Sequence, residues 1–249
     1  MPNHILKVKN LCKHYDGVVA LDNCSFEIEV GTITGLIGPN GAGKTTLFNV
    51  ISGFEKPTSG SVYLHNQNVT NLKSHEVASL GLCRTFQSTK LFSHMTAMEN
   101  LITAQKTSNN YIDIAKDLFR DQTIIAKKSL DILSWANLHE KKNHLTKDLS
   151  YGQQKILAPL RSLAADPKVL LLDEPFAGVN PKMVKSIMEN IVKIKNTGKT
   201  ILLIEHNLSA VMDLCEGVIV LDQGKKIAHG SIDEIKNNKK VIEAYLGAV

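Results

Sequence analysis

The residues best suited to chemistry in this 249-residue chain lie between positions 38 and 46. The sequence there reads Gly38-Pro39-Asn40-Gly41-Ala42-Gly43-Lys44-Thr45-Thr46. Gly38, Gly43, Lys44 and Thr45 satisfy the G-x-x-x-x-G-K-[ST] spacing of a phosphate-binding P-loop. Gly38, Gly41 and Gly43 lack a Cβ, so the backbone can take positive φ and come close to a ligand. Successive amides then form a concave nest for anionic oxygens. A helix starting near Gly43 adds the positive end of its dipole. Lys44 is expected to neutralise β- and γ-phosphates, and Thr45 to offer its hydroxyl to Mg²⁺. The ligand this predicts is a nucleoside triphosphate.

A second group of residues complements that loop. The apolar run Val169 to Leu172 ends in Asp173-Glu174. A buried strand that delivers two carboxylates beside a P-loop makes a Walker B arrangement, with Asp173 holding Mg²⁺, through water, and Glu174 placed to take a proton from an attacking water. Standing alone, the same pair reads equally as a strand end capping the next segment. His206 closes the next apolar strand, TILLIEH, where an imidazole can donate to a phosphate or to water. A histidine without that context is usually structural. Gln87 carries an amide whose oxygen can ligate Mg²⁺ and whose nitrogen can donate to water. The stretch Leu149-Ser150-Tyr151-Gly152-Gln153-Gln154 opens a helix with Ser150 as N-cap, Gly152 permitting close backbone approach, and terminal amides able to bind phosphate. A plain capped helix has the same sequence. Tyr15, read as a loop residue between two strands, is either an adenine-stacking ring or an ordinary packed tyrosine.

These residues need a scaffold, and the rest of the chain supplies its pattern. Ile5 to Leu11 and Cys24 to Val30 alternate apolar and polar, as half-buried strands do. Lys56 to Gly60 is a turn, with a strand from Val62 to Leu64. The first part therefore reads as antiparallel hairpins flanking the strand that leads into the P-loop. Thr96 and Glu99 form a capping box, and Ile112 to Trp135 has helical spacing, with Trp135 in the core of that region. Val169 to Leu172 and Thr200 to Ile204 are strands buried on both faces. Between them Asn180-Pro181 starts a helix whose apolar face is Met183, Ile187, Ile191 and Ile194, and Gly198 closes it. Val218 to Asp222 and Lys225 to Ala228 form a hairpin, followed by a second capping box at Ser231 and Glu234. Pro159 falls inside the helix opened by Ser150, at a predicted cost of about 3 kcal/mol or a kink. The expected architecture is a single α/β domain. Residues 1–87 and 149–249 form a P-loop NTPase (RecA-like) core with an antiparallel β subdomain, and 88–148 form an inserted α-helical subdomain.

Composition excludes several classes. Apolar residues make up 43% and charged residues 21%, enough for a core and too balanced for disorder. The net charge of +5 is scattered, so it gives weak support for nucleic acid and suits a cytoplasmic membrane face equally well. Cys12, Cys24, Cys83 and Cys215 lack CxxC spacing, which points to reduced, inert thiols. The start of the chain has no signal-peptide pattern, and no run is apolar enough to span a bilayer.

In order and spacing, Tyr15, the P-loop (Walker A), Gln87, Leu149–Gln154, Leu170–Pro175, Ala177–Asn180 and His206 resemble the ATP-binding cassette (ABC) family over essentially the whole chain. The resemblance implies ATP and Mg²⁺ as cofactors and Tyr15 as the adenine platform. It also implies a head-to-tail pair of ATPase subunits, copies or paralogues, in which Ser150 and Gly152 of one complete the Walker A site of the other, with Gln153 beside them. Three positions depart from the broad family: Tyr151 in the signature, and Ala177 and Asn180 in the D-loop. These departures resemble one subgroup, the ATPases of branched-chain amino acid importers, as do Arg84-Thr85-Phe86-Gln87 and the ending Val241 to Gly247. That subgroup implies permease subunits in the membrane, a solute-binding protein acting indirectly, no nucleic acid, and a peripheral position on the cytoplasmic face of the inner (plasma) membrane. Phe86, Leu91, Phe92 and Met95 are candidates for the permease-docking groove, or else core of the helical lobe. Alternatives are the ATPase of a lipid or lipopolysaccharide exporter and, with less support, a nucleic-acid- or ribosome-associated cassette.

Overall fold

A computed structural model of the chain describes residues 4–85, 91–105 and 122–246. Two strands, β1 (His4–Tyr15) and β2 (Val18–Glu29), form a long antiparallel hairpin closed by Asp16-Gly17. Tyr15 is the last residue of β1, paired with Val18. It is not in a loop, because the two-residue turn lets both strands run to its edge. The strand β3 (Ile33–Ile37) leads into the glycine-rich loop and α1 (Lys44–Ile51). Then β4 (Ser59–Leu64) and β5 (Gln67–Asn68) extend the hairpin into a sheet of order β2-β1-β4-β5.

The second sheet holds the strand ends that carry Asp173, Glu174 and His206. After α2 (Ser74–Ser79) it takes β6 (Leu82–Arg84), and later β7 (Val169–Asp173), β8 (Thr200–Ile204), β9 (Gly217–Asp222) and β10 (Lys225–Gly230), in the order β10-β9-β3-β8-β7-β6. All neighbours pair in parallel except β9 and β10, which form the expected hairpin. Parallel strands covered on both faces have no polar side, which explains the unbroken apolar runs. Leu171, Leu202 and Leu36 face α1 and the antiparallel sheet. Leu170, Leu172, Leu203 and Ile37 face the helices on the other side. Ligands of such sheets bind beyond the carboxyl ends of the strands, and β3, β7 and β8 all deliver their chemistry-bearing residues there.

The helices on that second face are α3 (Ala97–Ala104), α4 (Gln122–Trp135), α5 (Tyr151–Ala164), α6 (Pro181–Asn196) and α7 (Leu208–Leu214), with α8 (Ile232–Lys236) and α9 (Lys239–Leu246) closing the chain. The capping residues act as the sequence predicts. The Glu99 N–H donates to Thr96 Oγ1 at 3.1 Å, the Met183 N–H to Asn180 Oδ1 at 2.9 Å, and the Glu234 N–H to Ser231 Oγ at 3.4 Å. Ile187, Ile191 and Ile194 are buried with Met183 partly so, and Gly198 follows α6 at φ 85°. One reading is corrected. Trp135 is 38% exposed at the end of α4, with Lys193 donating to its carbonyl; helical spacing identified the apolar face, to which Ile132 and Leu133 belong, but the tryptophan lies off it. Pro159 lies buried inside α5, which runs on to Ala164. Of the helix expected from Ile112, residues 112–121 lie outside the described residues.

Candidate nucleotide site

Backbone sterics shape the loop between β3 and α1. Gly38 sits at φ 153°, and a Cβ there would lie 2.1 Å from the Leu221 carbonyl oxygen; at Gly43, φ 97°, it would lie 2.4 Å from that of Ala20. Both obstacles are backbone, so neither moves cheaply. Gly38→Ala is accordingly expected to destabilise by about 1–3 kcal/mol, a fall in melting temperature of roughly 2–12 °C in differential scanning calorimetry. At Gly41, φ 79°, a Cβ meets nothing within 4 Å, so there the positive φ, not a protein neighbour, calls for glycine.

Lys44 begins α1, and its residue is 7% exposed. Its ammonium donates to the carbonyls of Gly38 at 2.7 Å and Pro39 at 2.9 Å. Burial lowers its pKa, and the nearby Glu174 opposes that shift. The amine is thus pinned over the loop in surroundings that favour an incoming anion. Thr45 and Thr46 follow on the first turn, Thr45 exposed.

Across the sheet, Asp173 ends β7, where Arg84 from β6 donates to its Oδ2 at 2.8 Å and to Asn49 Oδ1 at 2.6 Å. Arg84 stood among the residues of the family resemblance without a role. The fold brings it, from 89 positions away, onto the carboxylate. Glu174 follows at φ 47°, a left-handed conformation uncommon outside glycine. Such strain collects at functional sites. Its N–H donates to the Ile204 carbonyl at 3.0 Å, and its Oε1 lies 3.1 Å from His206 Nε2. The structure therefore brings together Glu174 and His206, read separately in the sequence, at the ends of neighbouring strands β7 and β8. Glu205, which sequence reasoning missed, is buried between them at 4% exposure and accepts the Phe176 N–H at 2.7 Å. A glutamate between an apolar strand and a histidine carries no signal of such burial.

The donors that would hold a metal are hard oxygens: the Thr45 hydroxyl and the Asp173 carboxylate. This set fits Mg²⁺, which takes few protein ligands and keeps waters and phosphate oxygens. Among the described residues no cluster of three or more His, Cys, Asp or Glu offers a richer metal site. Gln87 and Phe86 lie outside the described residues.

Tyr15 stands near this loop. Its hydroxyl donates to Glu55, and the Lys13 ammonium lies 4.7 Å from the ring centroid. Burial, followed by Glu55, raises its pKa.

The signature residues lie apart. Ser150 and Gln153 satisfy one another in a capping box, with the Ser150 N–H donating to Gln153 Oε1 at 2.9 Å. The Tyr151 hydroxyl donates to the Ala177 carbonyl at 3.3 Å, and the ring is half exposed. A Cβ at Gly152 would meet Met183 Cε at 2.6 Å, so this glycine admits a neighbouring helix of the same chain. The described hydrogen bonds of Ser150, Tyr151 and Gln153 run to one another and to Ala177, and those of Lys44 to its own loop.

Two family models match the chain: "ABC transporter" over residues 21–177, and "Branched-chain amino acid ATP-binding cassette transporter" over 225–249. The chain is 38% identical over 246 residues to the probable branched-chain amino acid transport ATP-binding protein LivG of Archaeoglobus fulgidus, covering 98% of this chain and 96% of that one. It is 40% identical over 253 residues to the high-affinity LivG protein of Salmonella typhimurium, covering 99% of each. Among solved structures, the ADP conformation of MJ1267, an ATP-binding cassette of an ABC transporter, superposes with a TM-score of 0.86 at 34% identity, covering 98% of this chain and 99% of that one. The dimeric post-hydrolysis state of the cassette MJ0796, bound to ADP and Pi, gives 0.78 at 28% identity, covering 92% and 99%.

Proposed function

This chain belongs to the ATP-binding cassette transporter family, and from that premise we propose that it is the ATP-hydrolysing subunit of an importer for branched-chain amino acids. The observation that carries the catalytic half of this reading is the 3.1 Å contact between Glu174 and His206 beside a P-loop whose lysine is pinned in place. Full-length likeness to transport ATP-binding proteins named for branched-chain amino acids supports the cargo.

In the proposed reaction the loop amides of 38–46, Lys44 and Thr46 bind the triphosphate, and Tyr15 stacks on the adenine. Thr45, Asp173 and Gln87 would hold Mg²⁺, which would supply charge neutralisation at the phosphate oxygens. Glu174 accepts a proton from water as its oxygen attacks the γ-phosphorus, and the bond to the β-phosphate oxygen breaks to give ADP and phosphate. His206, whose Nε2 meets Glu174 Oε1 at 3.1 Å, exchanges that partner for the triphosphate and donates its Nε2–H to the γ-phosphate. Arg84 holds Asp173 in place for the metal. Ser150, Gly152 and Gln153 face a second subunit, whose Walker A loop they complete. On this reading each loop is incomplete alone. The test is specific ATPase activity against protein concentration, with Mg²⁺. Activity rising with concentration as pairs form is expected; full turnover by a demonstrated monomer overturns the reading.

The membrane partner is proposed to be a permease pair, served by a solute-binding protein, with this subunit on the cytoplasmic face. No helix among the described residues is long and apolar enough to cross a membrane. The helical lobe proposed for 88–148, to which α3 and α4 belong, would pass motion to the permease. Phe92 is exposed, with the Arg161 guanidinium 4.5 Å from its ring centroid. Beside Arg161 lies a cleft of about 330 Å³ that Phe54, Leu82 and Arg84 also line. Leu91 is partly buried against the core. Phe92→Asp is expected to leave the ATPase of the isolated chain unchanged and to weaken co-purification with the permeases by roughly 30-fold or more, as loss of an aromatic anchor does. Unchanged assembly rules Phe92 out as an anchor.

A further inference from the structure

Glu205 has no part in the roles given above, yet its carboxylate is among the most completely engaged groups near the site. The residue is 4% exposed. One oxygen, Oε1, accepts the Phe176 N–H at 2.7 Å; the other, Oε2, accepts the N–H groups of His206 at 2.9 Å and Asn207 at 3.2 Å. Burial raises its pKa, Glu174 adds to the rise, and the three amides oppose it.

The two oxygens serve different loops. Phe176 lies two residues past Glu174, on the segment that runs to Asn180. His206 and Asn207 form the loop that follows β8. Strand pairing joins these loops at their base, where Asp173 pairs with Ile204 and the Glu174 N–H meets the Ile204 carbonyl. Beyond that point the strands end, and the Glu205 carboxylate spans between the loops in place of further ladder bonds.

We propose that Glu205 is a positioning residue for hydrolysis: its carboxylate locks the loop bearing Glu174 to the loop bearing His206, so that the two side chains meet the γ-phosphate in one fixed register. The proposal rests on the reading of Glu174 as base and His206 as phosphate contact. A carboxylate is the group this task requires. Both oxygens must accept, because every partner is an N–H. Glutamine keeps the length but turns an N–H₂ toward one of the loops, and aspartate keeps both acceptors on a stem one methylene too short.

The test compares Glu205→Gln and Glu205→Asp with the wild-type chain in steady-state ATPase, ATP titration and thermal melting. It then places Glu205→Gln on a His206→Ala background, using single-turnover measurement where the rate is low. The expected result is kcat lower by about 10²-fold in both single variants, the scale of an ångström misplacement, with ATP affinity and KM within about twofold of wild type. In the double variant Glu205→Gln should add less than about twofold to the loss caused by His206→Ala, because residues acting as one unit are not additive. Losses that multiply in the double variant overturn the proposal, as does wild-type kcat in Glu205→Gln. Parallel loss of ATP affinity and melting temperature overturns it too, since that marks a general structural role. Absence of ATPase activity in the wild-type chain would instead defeat the catalytic reading itself.

Discussion

Glu174→Gln is expected to bind ATP normally and to hydrolyse it about 10²–10⁴-fold more slowly, the usual share of general-base catalysis, or about 3–5 kcal/mol of barrier. The substitution is nearly isosteric. The left-handed backbone at φ 47° costs a glutamine no more than a glutamate, and an amide oxygen can still accept from His206 Nε2. What is lost is the proton acceptor alone. ATP affinity should hold or rise slightly, because a negative charge near Lys44 and the triphosphate is removed. With chemistry blocked, the nucleotide continues to hold two subunits together. Size-exclusion chromatography should then show a dimer with ATP and a monomer with ADP. Wild-type turnover in this variant would remove Glu174 as the base, and slow turnover without a trapped dimer would separate the chemistry from the proposed pairing.

What the sequence discloses and what it hides divide along contact range. The P-loop is legible because its glycines answer to local sterics: a fixed spacing, a strand before, a helix after. Asp173-Glu174 is legible as the end of an apolar strand, and the caps at Thr96, Asn180 and Ser231 are legible because each bond spans three residues. The two-sheet architecture follows from alternation in the first strands against unbroken apolar runs in the later ones. Residues whose meaning comes from a distant partner are not legible. Arg84 meets Asn49 and Asp173 across 35 and 89 positions, and Glu205 meets Phe176 across 29. The packing of Gly152 against Met183 on another helix is likewise hidden. Trp135 reads as core because periodicity finds an apolar face without fixing which end residue leaves it. The ending Val241 to Gly247 is recognisable as a family pattern, but only the fold places Tyr245 in a cleft that Ile37, the last residue of β3, also lines, where burial pushes its pKa up to about 12.

Lys44→Ala tests the other half of the site, and its expected effect is on binding. The ammonium already donates two hydrogen bonds to loop carbonyls, and it is buried enough for its pKa to fall. A lysine so placed costs free energy in the nucleotide-free chain and recovers it only when a triphosphate restores a counter-charge. Hydrogen bonds to charged groups contribute about 1.5–3 kcal/mol each, so losing one or two to the β- and γ-oxygens should weaken ATP binding by roughly 10- to 10⁴-fold. Melting temperature gives an independent measure. A ligand at 100 times its Kd stabilises by about 2.7 kcal/mol, or roughly 5–11 °C for a chain of this size. The wild-type chain should show that shift with ATP, and Lys44→Ala should show little or none at the same concentration. Without nucleotide the variant should melt close to wild type, since the lost carbonyl contacts are offset by relief of a buried charge. A variant that keeps its ATP-dependent shift would place the phosphates elsewhere. One that melts far below wild type without nucleotide would make Lys44 a structural residue of the loop first and a ligand contact second.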